Sequence, residues 1–116
     1  MLTNLKICGI TERATARFCA EAGVGALGAV FYDKSPRCVT PAQARALFEN
    51  LPGRVARVGV FVDCPPDAIL AVAREARLTT LQLHGRESLA DIRRLLPAGY
   101  RVIKALTLTG DFLLKI

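Results

Sequence analysis

The stretch "LKICGITER" at residues 5–13 decides how the rest of the chain is read. It begins as an apolar strand with two polar side chains two apart, Lys6 and Cys8, and a glycine ends it. Strand residues alternate between faces, so the lysine and the thiol share one. The segment after the strand bears on architecture. "CGITER" is neither a G-x-G-x-x-G turn nor a P-loop, so it lacks the glycine-rich phosphate turn that normally follows the first strand of an open nucleotide-binding sheet.

Working outward, apolar runs rich in Val, Ile and Leu recur: "ALGAVF" at 26–31, "VARVGVFV" at 55–62, "TTLQLH" at 79–84 and "RVIKAL" at 101–106. Segments of helical character separate them. The first, 11–22, has Thr11 as a cap candidate. The second, 41–50, has Thr40 as N-cap and Pro41 at the first helical position. The third, 66–76, follows a proline pair, where Asp63 is a further cap candidate. The fourth, 87–96, lies between Gly85 and Pro97. Continuous apolar strands alternating with helices predict a parallel sheet covered by helices.

An open doubly wound sheet and a (β/α)8 barrel both fit that alternation. A barrel places functional residues at the ends of several different strands. Here they fall at Lys6 and Cys8, in the loop "YDKSPR" at 32–37, at Asp63, at Gln82 and His84, and at Lys104. We therefore read an α/β chain of the (β/α)8 TIM-barrel family. It comprises about the first five β/α units, a partial barrel forming one domain over residues 1–116.

Hydrophobic residues make up 52% of the 116 and charged residues 22%, enough apolar material for a core. No apolar run approaches the ~18 residues of a transmembrane helix, and "MLTNLK" lacks a signal peptide's layout. A cytoplasmic protein without membrane contact is expected. Cys8, Cys19, Cys38 and Cys64 show no Cys-x-x-Cys spacing, and His84 is the sole histidine; no metal site is expected, and free thiols are favoured. The net charge of +6 is scattered through "RATAR", "AVAREAR" and "DIRRLL", with no basic run or interleaved aromatics. Nucleic acid is not expected as a partner. A solvated surface or a small anionic substrate accounts for the charge equally well.

The candidate residues each carry two readings. Cys8 is a small packing residue, or a base whose thiolate form a neighbouring ammonium favours. Lys6 is that ammonium, or a rim residue. Arg37, in a loop that Ser35 and Pro36 stiffen, is an exposed loop arginine or a fork for a carboxylate or phosphate. Gln82 and His84 repeat the two-apart pattern before a glycine, which tilts them from structural residues towards a site. Lys104 reads more weakly, as filler of the barrel interior.

Taken together, "KICGIT" (6–11), "AGVGALGAVFYDKSPR" (22–37), "VGVFVD" (58–63), "LQLHG" (81–85) and "VIKA" (102–105) resemble the phosphoribosylanthranilate isomerases, (β/α)8-barrel enzymes of tryptophan biosynthesis. Five motifs stand in the family's order and spacing. The resemblance implies an Amadori rearrangement of N-(5-phosphoribosyl)anthranilate to 1-(2-carboxyphenylamino)-1-deoxyribulose 5-phosphate, without cofactor or metal. It implies that Cys8 is the general base, that Arg37 holds the anthranilate carboxylate, and that His84 lines the aromatic pocket, with Gln82 and Lys6 as neighbours.

The family's general acid is an aspartate ending strand six, and its phosphate site follows strands seven and eight. A full barrel needs at least ~200 residues, so these parts are expected to be missing from a chain truncated at Ile116. The tail "TLTGDFLLKI" (107–116) reads as the start of helix five with Asp111 as N-cap. A displaced strand six, with Lys115 in the acid's place, is the less favoured alternative. The chain alone is expected to be inactive or nearly so. A rival expectation is a half-barrel that self-associates through its open edges, because unpaired strand edges invite pairing with another chain.

Overall fold

Each apolar run becomes a strand because its neighbours in sequence are helices that cover it. The computed structural model describes residues 4–106. Its strands are β1 (Lys6–Ile7), β2 (Ala26–Val30), β3 (Ala56–Phe61), β4 (Thr80–Leu83) and β5 (Arg101–Lys104). Between them run α1 (Arg13–Glu21), α2 (Pro41–Leu47), α3 (Pro66–Ala76) and α4 (Leu89–Leu95), the last running into a 3-10 turn over Leu96–Ala98. The strands lie parallel in the order β1-β2-β3-β4-β5. Consecutive helices pack on one another, α1 on α2, α2 on α3 and α3 on α4, so all four cover the same face. A parallel sheet in sequential order with its helices on one side is an arc of a barrel, since a doubly wound sheet distributes its helices over both faces.

Alternation sorts the side chains. Leu27, Ala29, Phe61, Leu81 and Leu83 are buried with Ala16, Cys19 and Ala20 of α1, Ala44 and Leu47 of α2, Ile69 and Ala73 of α3, and Leu95 of α4. Burying one such leucine contributes about 1.5–3 kcal/mol. Phe31 stacks on Phe61 with ring centroids 5.3 Å apart, sealing the core at the C-terminal strand ends.

The opposite face carries the rows Lys6–Ala26–Ala56, Gly28–Val58–Thr80–Arg101 and Val30–Val60–Gln82–Ile103. Among the described residues, every large exposed hydrophobic side chain belongs to one of the two ends of the arc. Leu5 and Phe18 lie at the β1/α1 end; Leu89, Leu96, Ile103 and Leu106 lie at the α4/β5 end.

Local signals explain most boundaries. Thr40 caps α2 as expected: its side chain accepts from the Gln43 amide while Gln43 accepts from the Thr40 amide. Four expectations need correcting. α1 starts at Arg13 behind Glu12, with no side-chain cap from Thr11 or any other residue. α2 stops at Leu47 rather than residue 50: Phe48 at the C-cap has left the helical region with φ −99° and ψ 2°, and the Glu49 amide reaches back only to the Ala46 carbonyl. Pro65, not Asp63, stands at the N-cap of α3. α4 begins after Ser88, whose reciprocal bonds with Asp91 close a second capping box and leave Glu87 outside the helix. The expectations about Asp111, Lys115 and helix five fall outside the described residues. No helix among the described residues is long and apolar enough to cross a membrane.

Candidate active site

Every residue singled out for chemistry lies on the face turned away from the helices or at the C-terminal ends of the strands. They form two groups. In the first, β1 is only two residues long, and Cys8 and Gly9 follow it immediately. Gly28 on β2 has no side chain to fill the space beside them. A Cβ built there would lie 3.3 Å from Cys8 Sγ and 3.5 Å from Lys6 Cε. Lys6 and Cys8 therefore share the face that alternation predicts. Cys8 is exposed, unlike the core residue Cys19, so it is not a packing thiol; all four cysteines are free.

Arg37 joins this group through Gly9. The glycine takes a φ of +77°, and a Cβ on it would meet the Arg37 guanidinium at 2.6–2.8 Å. The guanidinium thus lies flat against the backbone that follows Cys8. The loop carrying Arg37 is braced: the Arg37 amide donates to Ser35 Oγ at 3.2 Å, and the Val39 amide donates to the Val30 carbonyl at 2.9 Å. A cleft of about 440 Å³ opens beside the loop along Thr11, Pro36 and Val39, and neither Cys8 nor Arg37 lines it.

The second group sits on β3, β4 and β5. Gln82 is half-buried between Val60 and Ile103, and His84 is exposed at the end of β4, where its amide donates to the Phe61 carbonyl at 2.9 Å. Next to it stands Glu87, whose side chain is only 2% exposed. Its carboxylate accepts from the Asp63 amide at 2.9 Å, from the Gly85 amide at 2.9 Å and from the Lys104 ammonium at 2.7 Å. Burial pushes the Glu87 carboxyl up, but the Lys104 bond and the backbone amides outweigh it and hold the group below the usual carboxylate range. Burial, and then the Glu87 charge, push the Cys64 thiol up. Asp63 accepts from the Arg86 amide, and its backbone amide, 2.8 Å from where a Gly85 Cβ would lie, together with its carboxylate leaves no room for a side chain there.

Lys104 is not barrel filler. Its ammonium donates to Glu87 and to the Gly85 carbonyl, tying β5 to the loop after β4. Sequence reading missed Glu87, which it placed inside helix four. The pattern Ser88-x-x-Asp91 was the available signal, since it marks the helix start one residue after Glu87.

Among the described residues, no cluster of His, Cys, Asp and Glu is arranged to hold a metal ion. The site's resources are a solvent-accessible thiol, a nearby guanidinium and an imidazole, a set suited to moving a proton on an anionic substrate.

The family model described as N-(5'-phosphoribosyl)anthranilate (PRA) isomerase matches residues 5–115. The N-(5'-phosphoribosyl)anthranilate isomerase of Rubrobacter xylanophilus is 46% identical over 105 residues, which is 90% of this chain and 51% of the relative. A phosphoribosyl anthranilate isomerase solved with reduced 1-(o-carboxyphenylamino)-1-deoxyribulose 5-phosphate superposes with a TM-score of 0.89 at 42% identity, covering 95% of this chain and 56% of that one. The Thermus thermophilus protein of the same name gives 0.83 at 46% identity, over 90% and 52%. The chain spans about half the length of the relatives it matches. With its five parallel strands set as the first units of that barrel, the chain belongs to the N-(5'-phosphoribosyl)anthranilate isomerase family.

Proposed function

We propose that residues 1–116 form one partial-barrel domain supplying the base and the carboxylate-recognising half of a phosphoribosylanthranilate isomerase site. The observation that carries this reading is the Arg37 guanidinium set against Gly9, the residue that follows the exposed Cys8 thiol. In the Amadori rearrangement, a proton delivered to the ribose ring oxygen opens the sugar to a Schiff base. The Cys8 thiolate then takes the C2 proton; the C2 electron pair forms the enamine and discharges the iminium, and the resulting enol tautomerises to the ketone. Arg37 holds the anthranilate carboxylate by a two-pronged bond. His84 borders the aromatic ring, with Gln82 and Lys6 beside the reacting atoms. The acid and the phosphate grip belong to the half of the relatives that this chain does not span, and tryptophan synthesis in the cytoplasm is the setting that fits.

An isomerase assay tests this on the 116-residue chain alone and on a chimera joining it after β5 to the remainder of the Thermotoga maritima relative, which is 42% identical over 110 residues. The expected result is background turnover from the chain alone, an active chimera, and loss of that activity in Cys8→Ser. Family-like turnover from the chain alone refutes the half-site reading. A Cys8→Ser chimera with undiminished turnover refutes the base assignment.

The exposed apolar residues at both ends of the arc support a second reading, a half-barrel that self-associates. Light scattering decides it: a well-packed monomer counts against association, and a stable oligomer supports it.

A further inference from the structure

We infer that Glu87 is a positioning residue for His84, holding the rim of the site across the ends of β3, β4 and β5. The inference rests on the reading of His84 as a substrate-facing residue and goes beyond it, to what aims that side chain. His84 leaves β4 with its own amide on the Phe61 carbonyl at 2.9 Å. The next residue, Gly85, is held from both sides: its amide donates to Glu87 at 2.9 Å and its carbonyl accepts from Lys104. The Glu87 carboxylate also fixes the Asp63 amide at 2.9 Å at the end of β3, and Lys104 anchors it to β5 at 2.7 Å. One nearly unexposed carboxylate thus immobilises the peptide units that follow His84 and ties them to both neighbouring strands.

A surface ion pair would not do this. With the side chain 2% exposed, removing the carboxylate altogether would leave two amide donors and an ammonium without their acceptor. In Glu87→Gln one amide oxygen remains, but the amide nitrogen is a donor and cannot serve the second N–H.

His84 is the sole histidine, so its imidazole is a single reporter in the carbon–proton NMR spectrum of the chain. In Glu87→Gln the imidazole resonance is expected to shift or broaden beyond its linewidth at temperatures where the protein is folded. Exchange of the Asp63 and Gly85 amides is expected to quicken about tenfold or more. Ile69→Val, a mild core change in α3, is expected to lower stability and leave the imidazole signal unmoved. Lys104→Gln serves as a second variant should Glu87→Gln fail to fold, with a smaller shift of the same signal. An unmoved imidazole in the foldable variant, or an equal movement in Ile69→Val, overturns the inference. Because the readout needs no substrate, it separates from the isomerase assay: a silent chimera refutes the functional reading, and an unmoved imidazole refutes the positioning role.

Discussion

Gly9→Ala separates backbone strain from site geometry at a single residue. Two things happen there. The φ of +77° is a left-handed conformation that costs an L-residue roughly 1–2 kcal/mol. The new methyl also lies 2.6–2.8 Å from Nη1, Cζ and Nε of Arg37, where ordinary contact needs about 3.5 Å. The guanidinium is the free end of a flexible side chain, so it steps aside by about 1 Å at little cost to folding. The expected loss of stability is therefore the strain alone, a fall in the urea midpoint of roughly 1 M for a domain of this size. In an Arg37→Ala background the loss is expected to stay the same within about 0.5 kcal/mol. Function responds differently, because a group misplaced by about 1 Å costs up to about 100-fold in turnover. In the chimera, Gly9→Ala should approach the defect of Arg37→Ala, and adding one to the other should change little. The reasoning is refuted if Gly9→Ala keeps full turnover, or if its stability cost vanishes once Arg37 is gone.

Four further outcomes follow from the same geometry. Lys104→Met leaves a nearly unexposed carboxylate without its counter-charge; loss of a partner in a buried pair costs about 3–5 kcal/mol, and with Lys104 itself 22% exposed and two amides remaining we expect about 2 kcal/mol in urea unfolding. Because Glu87 is lowered in the folded state, its stabilisation is full above the unfolded value of about 4.3 and disappears as pH falls through the lower folded value; an acid titration followed by circular dichroism should lose that component in Glu87→Gln. Cys64 works in the opposite direction: its raised thiol leaves stability intact below about 8.5 and erodes it at higher pH, an erosion that Cys64→Ala removes in the same titration. Gly28→Ala places a methyl 3.3 Å from Cys8 Sγ without a left-handed φ, so peptide mass spectrometry should show slower alkylation of Cys8 with little change in stability.

How far the sequence reached depended on how local each determinant is. The alternation of apolar runs located all five strands, because a parallel strand under helices carries its burial in its own composition. Lys6, Cys8, Gln82 and His84 were legible for a similar reason: period-two placement before a glycine needs no knowledge of the rest of the fold. Arg37 was legible as a residue, but its place against Gly9 depends on how the loop after β2 folds back over β1. The Glu87 clasp was illegible in a stronger sense. Its partners lie at the ends of three strands, Asp63 after β3, Gly85 after β4 and Lys104 on β5, and nothing in a segment beginning "RES" says that its carboxylate turns inward. The cap expected from Asp63 failed because that carboxylate instead accepts from the Arg86 amide, at the next strand end in sequence.

The two groups differ in what they require from the rest of a barrel. Lys6, Cys8 and Arg37 are organised by contacts within β1, β2 and their loops, through two glycines. Gln82 is placed by its register between β3 and β5, and the chain after His84 is held across the ends of β3, β4 and β5 through one carboxylate and one ammonium. Both sets of contacts lie wholly within the described arc, so the walls of the site can form before the barrel closes. What the arc lacks is cover at its ends, where Leu5 and Phe18 on one side and Leu89, Leu96, Ile103 and Leu106 on the other stand in solvent. Burying a large apolar side chain contributes about 1.5–3 kcal/mol, so covering those six offers a driving force comparable with the whole stability of a small domain. A (β/α)8 barrel needs three further strands to span the gap, whereas a second copy of the arc would bring five. Geometry thus favours completion by a three-unit segment over closure by self-pairing; on the function proposed above, Cys8 and Arg37 would stand in a preformed half to which such a segment brings the acid.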